Sequence, residues 1–268
     1  MNQPNNMHAL LQWYIAAGAD EAIDPEPQNR FVRPAETTLE DKPAAAPQPA
    51  KTPAMAAKQN TASENAPSED TRELAGACAD FDELRAAIAA FDGCALKRTA
   101  TNTVIGTGDQ AAALMVVGEA PGAEEDRRGL PFVGPAGQLL DHMLAAIGLA
   151  RDAVYITNIL PWRPPGNRSP TAEEIALCQP FVERQIALVQ PRVLVLVGGI
   201  SAKALLDKRE GITRLRGTWR EFTAPGLAEP ISTMATFHPA YLLRQPAAKR
   251  EVWRDLLSIE KKLAELSG

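Results

Sequence analysis

The chain has 268 residues, 45% of them hydrophobic, which suffices for one large domain with tails. No apolar run approaches the roughly 20 residues that span a bilayer, and three cysteines without paired spacing argue against a disulfide framework. The net charge of −5 is unevenly placed: residues 1–93 carry 7 Lys/Arg against 15 Asp/Glu, whereas residues 94–268 carry 21 against 18. The mildly basic C-terminal portion permits a phosphate-binding face, although an ordinary enzyme with an acidic tail fits these charges equally well. Residues 1–7 lack the basic-then-apolar pattern of a signal peptide, so a cytosolic protein with no membrane association is expected.

In chain order, residues 8–18 (HALLQWYIAAG) carry apolar side chains at helical spacing and end on Gly18. We read residues 1–24 as a short helical segment. Residues 25–70 hold eight of the 22 prolines, amid Ala, Gln, Ser and Thr, and read as a disordered linker. From residue 71 onward a folded domain is expected to run to residue 268. Its first element is a helix over 71–91, with Leu74, Phe81, Leu84 and Ile88 on one face. Four short apolar runs then read as strands: 114–117, 154–157, 193–197 and 231–236. Helical patterns cover 137–147, 172–189, 201–207 and 247–266. Thr171 followed by Glu174 is a capping-box signal. Strand–helix alternation of this kind predicts an α/β fold, a parallel sheet with helices on both faces. Ligands in such sheets bind beyond the carboxyl ends of the strands, so the residues closing each strand are the ones to examine.

The first of these strands runs into Gly118, Glu119, Ala120, Pro121 and Gly122, a tight and rigid turn, followed by Glu124, Glu125 and Asp126. These carboxylates are either a solvated acidic loop or part of a site. Phe132 lies in a Pro/Gly-rich loop, as a core plug or as a platform on which a base stacks. The second strand closes on Asn158, a frequent turn former, whose amide also offers the donor and acceptor that suit a pyrimidine edge. Arg163 and Arg168 follow within reach of phosphates, with Trp162 beside them. The last strand leads to His238, whose backbone is fixed by Pro239, and then to Leu242, Leu243 and Arg244. That segment is either a wedge for a base stack or the first turn of the last helix.

The strings GEAPGAEED, GLPFVGPAGQLL, VYITNILPWRPPGNRSPT, VLVLVGG and TFHPAYLLR, in this order and spacing, resemble the uracil-DNA glycosylase superfamily, and within it the family 4 branch. The resemblance covers about residues 94–265. It implies a three-layer α/β/α sandwich around a four-stranded parallel sheet, and an enzyme that flips uracil out of DNA and hydrolyses its bond to deoxyribose. By resemblance, Phe132 stacks on the flipped base, Asn158 reads the uracil edge with Ala120 beside it, and His238 bonds uracil O2. Glu119 and Glu125 match the acidic residues near the sugar and the attacking water, with the water's holder left open between them. Leu242, Leu243 and Arg244 resemble the loop that enters the DNA, and Arg163 and Arg168 are the phosphate candidates. The implied partner is uracil-containing DNA, single- or double-stranded, bound by a monomer.

The sequence departs from the family in two ways. Family 4 enzymes hold a four-iron four-sulfur cluster on four cysteines, and only Cys94 and Cys178 match. Phe91, three residues before Cys94, and Trp162 stand at the other two positions, while Cys78 is 16 residues from Cys94. We therefore expect no intact cluster, its volume being filled by Phe91 and Trp162. A branch that bonds covalently to DNA carries a histidine in a basic insertion after the Asn motif; residues 163–171 contain none, so hydrolysis with turnover is expected. Rival readings are a glycosylase for another deaminated base such as hypoxanthine, and a non-catalytic binder of DNA lesions. Leu10, Leu11, Trp13 and Tyr14 in the N-terminal helix are apolar enough to dock a protein partner.

Overall fold

A computed structural model describes residues 69–267. The N-terminal helix and nearly all of the linker expected from the sequence lie outside the described residues. The first helical stretch divides into α1 (Glu69–Ala77) and α2 (Phe81–Ala90). It divides because Asp80 caps the second helix, its carboxylate accepting from the backbone N–H groups of Asp82 and Glu83 at 2.9 Å each.

The sheet contains the four expected strands, β2 (Leu114–Gly118), β3 (Tyr155–Asn158), β4 (Val193–Val197) and β6 (Ile231–Thr236), and all four run parallel. Two edge strands make it wider than expected. They are β1 (Gly106–Thr107), antiparallel to β3, and β5 (Trp219–Phe222), antiparallel to β6. The sheet is thus six-stranded and mixed, in the order β1-β3-β2-β4-β6-β5, a correction to the four-stranded parallel sheet.

The strands β2, β3 and β4 are buried along their whole length, as a parallel sheet covered on both faces requires. Side chains alternate between two cores because the strand period is two. On one face Met115, Val117, Tyr155, Leu194 and Leu196 pack with Leu84, Ile88, Phe181 and Ile186, from α2 and α5 (Ala172–Val189). On the other, Leu114, Val116, Ile156, Val193 and Val195 pack with Leu140, Met143 and Leu144 of α4 (Pro135–Ala145) and Val252, Leu256 and Ile259 of α9 (Lys249–Ser267). The capping box at Thr171 and Glu174 is formed. The remaining short helices are α3 (Ala123–Arg128), α6 (Gly199–Leu206), α7 (Ile212–Leu215) and α8 (Pro239–Arg244). Among the described residues no helix is long and apolar enough to cross a membrane.

This topology sets the position of the site. From β2 the chain steps to β3 on one side, then crosses back to β4 on the other, so the reversal point sits at the carboxyl end of β2. There Gly118 pairs in register with Asn158.

Candidate active site at the carboxyl rim of the sheet

Gly118 ends β2 because nothing larger fits. A Cβ there would lie 2.4 Å from Asn158 Oδ1 and 2.6 Å from Phe132 Cζ. The amide of Asn158 and the rim of the Phe132 ring therefore converge on one point. The Phe132 ring in turn stacks on the His238 imidazole, with centroids 5.6 Å apart and planes inclined by 28°. Gly198, at the end of β4 with φ 107°, leaves room beside His238, whose Cβ a side chain at this position would touch at 3.4 Å. Three residues widely separated in sequence thus share one slot. Phe132 and Asn158 are only 5% and 4% exposed, whereas His238, Glu119 and Ala120 at the same rim are half-buried.

Each member of the slot has a distinct electrostatic character. Both Asn158 side-chain polar atoms, Nδ2 and Oδ1, are buried without a hydrogen-bond partner. Leaving such a group unpaired costs about 1–3 kcal/mol, a penalty that a ligand supplying the complementary pair would remove. His238 caps α8, its Nδ1 accepting from the Ala240 backbone N–H at 3.1 Å. Acceptance at Nδ1 puts the proton of the neutral ring on Nε2, making that nitrogen a donor. Burial, reinforced by Arg244, pulls the imidazole down to about 4, so the ring is neutral at physiological pH.

The four acidic residues behind β2 separate by what holds them. Glu124 pairs with Arg127 at 2.6 Å on the surface. Asp126 is buried and accepts from the backbone N–H groups of Thr101 and Asn102 at 2.8 and 3.1 Å. Both Glu125 oxygens are occupied: Oε2 accepts from Gly122 N–H at 3.1 Å, and Oε1 accepts from Val133 and Gly134 N–H at 2.9 and 2.8 Å. Glu125 therefore ties the start of α3 to the loop carrying Phe132. Glu119 alone of these carboxylates has no hydrogen-bond or ion-pair partner among the described residues. Burial pushes its pKa above the usual glutamate value. Ala120, next in the chain, is half-buried against the core.

The DNA-contact candidates fare differently from one another. Leu242 is 1% exposed and anchors α8 in the core, whereas Leu243 is 47% exposed beside the exposed Arg244. Of the proposed wedge, then, Leu242 is a packing residue and only the other two face outward. The Arg168 guanidinium is held by Glu174 at 2.9 and 2.6 Å, and Arg163 reaches Asn167 Oδ1 at 2.7 Å.

Several positioning residues escaped sequence reading. Phe132 has φ 51°, the left-handed region that costs a non-glycine residue about 1–2 kcal/mol. It is held there by Arg151, which donates to the Pro131 and Phe132 carbonyls at 2.6 and 2.9 Å while pairing with Asp141 at 2.6 Å. Gly137 permits the close approach of α4, since a Cβ there would fall 1.9 Å from the Phe132 carbonyl oxygen. On the other flank, buried Asp255 of α9 accepts from Thr236 Oγ1 and from Arg216, each at 2.6 Å, and so fixes the strand end that carries His238. Arg151 and Asp255 left no motif to find, because their partners are backbone carbonyls or residues far away in the chain.

A four-iron cluster requires four thiolates, here at the positions of Phe91, Cys94, Trp162 and Cys178. Cys94 and Cys178 are adjacent and fully buried. The interaction of the two thiols pulls Cys94 down to about 7 and pushes Cys178 up. At the other two positions Phe91 stacks on Trp162 with centroids 6.4 Å apart and meets Phe181 edge-on at 5.3 Å. The Trp162 indole is 1% exposed and donates to Thr103 Oγ1 at 3.1 Å. Two thiols and two packed aromatic rings do not supply four thiolates. Among the described residues no group of three His, Cys, Asp or Glu is arranged to hold a metal ion.

Comparison with known proteins agrees with this geometry. The profile of the uracil DNA glycosylase superfamily matches residues 105–257. A type-4 uracil-DNA glycosylase of Pyrobaculum aerophilum is 40% identical over 181 residues, covering 66% of this chain and 91% of that protein. One from Archaeoglobus fulgidus is 40% identical over 192 residues, covering 70% and 94%. A type-5 uracil-DNA glycosylase of Thermus thermophilus is 31% identical over 179 residues, covering 61% and 81%. With the slot at the sheet rim and the superfamily profile matched over residues 105–257, the chain belongs to the uracil-DNA glycosylase superfamily.

Proposed function

We propose that this protein hydrolyses the N-glycosidic bond of deoxyuridine in DNA, releasing uracil and leaving an abasic site. The observation that carries this reading is Asn158, whose buried amide presents one unmet donor and one unmet acceptor at the rim of the sheet. Uracil offers the complement on one edge: O4 accepts from Nδ2 and N3–H donates to Oδ1. Cytosine carries a donor at position 4 and an acceptor at N3, so it would face like against like unless the amide turned over. The flipped base stacks on Phe132, and these contacts offset the few kcal/mol that flipping costs.

Bond cleavage sends an electron pair to the base and leaves positive charge on the sugar. His238, neutral and protonated on Nε2, donates to O2 and stabilises the leaving anion. A preorganised donor of this kind contributes about 3–4 kcal/mol to lowering the barrier. Glu119 is the carboxylate free to face the sugar, where it favours the cationic state and orients the attacking water. Glu125, with both oxygens engaged by backbone, acts through the loop it holds. Ala120 lines the base side. Leu243 and Arg244 fill the space the base vacates, and Arg163 and Arg168 approach the phosphates, Arg168 after parting from Glu174. The protein works as a monomer on single- or double-stranded DNA in the cytosol.

No step runs through an iron–sulfur cluster. Phe91, Trp162 and Phe181 occupy the region with packed rings and carry the scaffold's stability there. A cleavage assay on oligonucleotides containing uracil, hypoxanthine or thymine tests the proposal. Release from uracil DNA alone, with turnover and without an SDS-stable adduct, is expected. Preference for hypoxanthine, or binding without cleavage, would refute it.

A further inference from the structure

The loop carrying Phe132 is gripped by opposite charges on its two flanks. On one side the Glu125 carboxylate collects the N–H groups of Val133 and Gly134. On the other the Arg151 guanidinium collects the carbonyls of Pro131 and Phe132, at 2.6 and 2.9 Å. Each charge meets the end of the peptide dipole it attracts, and charge-assisted bonds of this type are about twice as strong as neutral ones. Arg151 sits in a short turn (Arg151–Ala153) just before β3, and Asp141 of α4 holds its guanidinium at 2.6 Å. The grip fixes a residue whose φ of 51° a phenylalanine does not adopt by preference.

We infer that Arg151 is a positioning residue for uracil excision, holding the Phe132 backbone so that the ring keeps the plane on which the flipped base stacks. The inference rests on the proposed stacking role of Phe132. Phe132 is buried while His238, Glu119 and Ala120 at the same rim keep partial exposure, so the ring is a fixed wall of the slot and its plane is what an entering base meets. With its backbone clamped, the ring holds one plane, stacked on the His238 imidazole. Released from Arg151, the peptide is free to leave its left-handed conformation and carries the ring away from the Asn158 amide. Asp141 keeps the guanidinium in place, and Gly137 leaves space for the carbonyl that Arg151 binds.

The test is a double-mutant cycle in the full chain, read by the single-turnover rate on uracil-containing DNA and by the dissociation constant of free uracil. Arg151→Met is expected to slow the single-turnover step by roughly tenfold to a hundredfold, the scale of a misplaced reacting group, and to weaken uracil binding. Arg151→Lys, which keeps the charge and some of the donors, restores part of the loss even if the Met variant folds poorly. In the Phe132→Ala background the same substitution is expected to have little further effect, since the group it positions is gone. Equal losses from Arg151→Met with and without Phe132 would overturn the inference while leaving the stacking role intact. A Phe132→Ala variant with undiminished rate would remove the stacking role and the inference with it, and wild-type excision would be unaffected. A lowered melting temperature with unchanged rate and uracil affinity would also overturn it, because the bond would then serve stability alone.

Discussion

Two regions of this domain, both built around aromatic rings, stand in contrast. At Phe91, Trp162 and Phe181 the rings close on one another and the indole N–H has its acceptor in Thr103. At the sheet rim, Phe132 sits in a left-handed backbone conformation, the Asn158 amide is unmet, and Glu119 is desolvated without a partner. In the first region the rings and the indole N–H find their partners within the chain. The second is left incomplete in a pattern that DNA carrying uracil would complete. Incompleteness of this kind costs stability and persists where a ligand restores what is missing.

The largest expected effect separates the two regions by activity. Asn158→Ala and His238→Ala should each lower the excision rate by about a hundredfold to a thousandfold with little loss of melting temperature. A rate within a few-fold of wild type for either variant would break the contrast. Next, Trp162→Ala should destabilise the fold by about 3–5 kcal/mol, the range for a fully buried large aromatic, while the surviving folded fraction keeps its uracil rate. Protein purified without oxygen should also carry far less iron than a four-iron cluster demands; near-stoichiometric cluster would show that this region is not complete on its own. The smallest effect concerns pH. With His238 held near 4, its neutral form persists as pH falls through about 6.5, where an ordinary imidazole titrates. His238 should therefore add no inflection to the rate between about pH 6 and 8, and the rate should fall in acid as Glu119, its pKa raised by burial, and then His238 take protons. An inflection near the ordinary histidine value would show that the slot does not desolvate this ring.

What was legible in the sequence follows from where each signal lives. Strands such as Leu114–Gly118, apolar throughout, and the Thr171 capping box are local patterns, and they led directly to the sheet and to α5. The edge strands were illegible because they depend on partners: Gly106–Thr107 is two residues long and exists through its pairing with Ile156 and Thr157. Asn158, Phe132 and His238 could be named because each closes a strand or interrupts a pattern. The meeting of Asn158 and Phe132 at Gly118, and of Phe132 with His238, is a product of strand order, which no local pattern states. Leu242 and Leu243 look alike in the chain and differ only in the face of α8 they occupy. Arg151 was missed because its role is to bind carbonyls, a function open to any arginine.

The pairing of Gly118 with Asn158 has a thermal consequence. The Asn158 amide, proposed to read the base, does not sit on a loop that loosens ahead of the rest; it closes a strand paired through β2 to the centre of the sheet. Segments of that kind open only with the whole domain. Discrimination between uracil and cytosine should accordingly stay constant on warming and vanish abruptly at the melting transition, whereas hold on the DNA through Leu243 and Arg244, borne on a single short helix, should fade gradually beforehand.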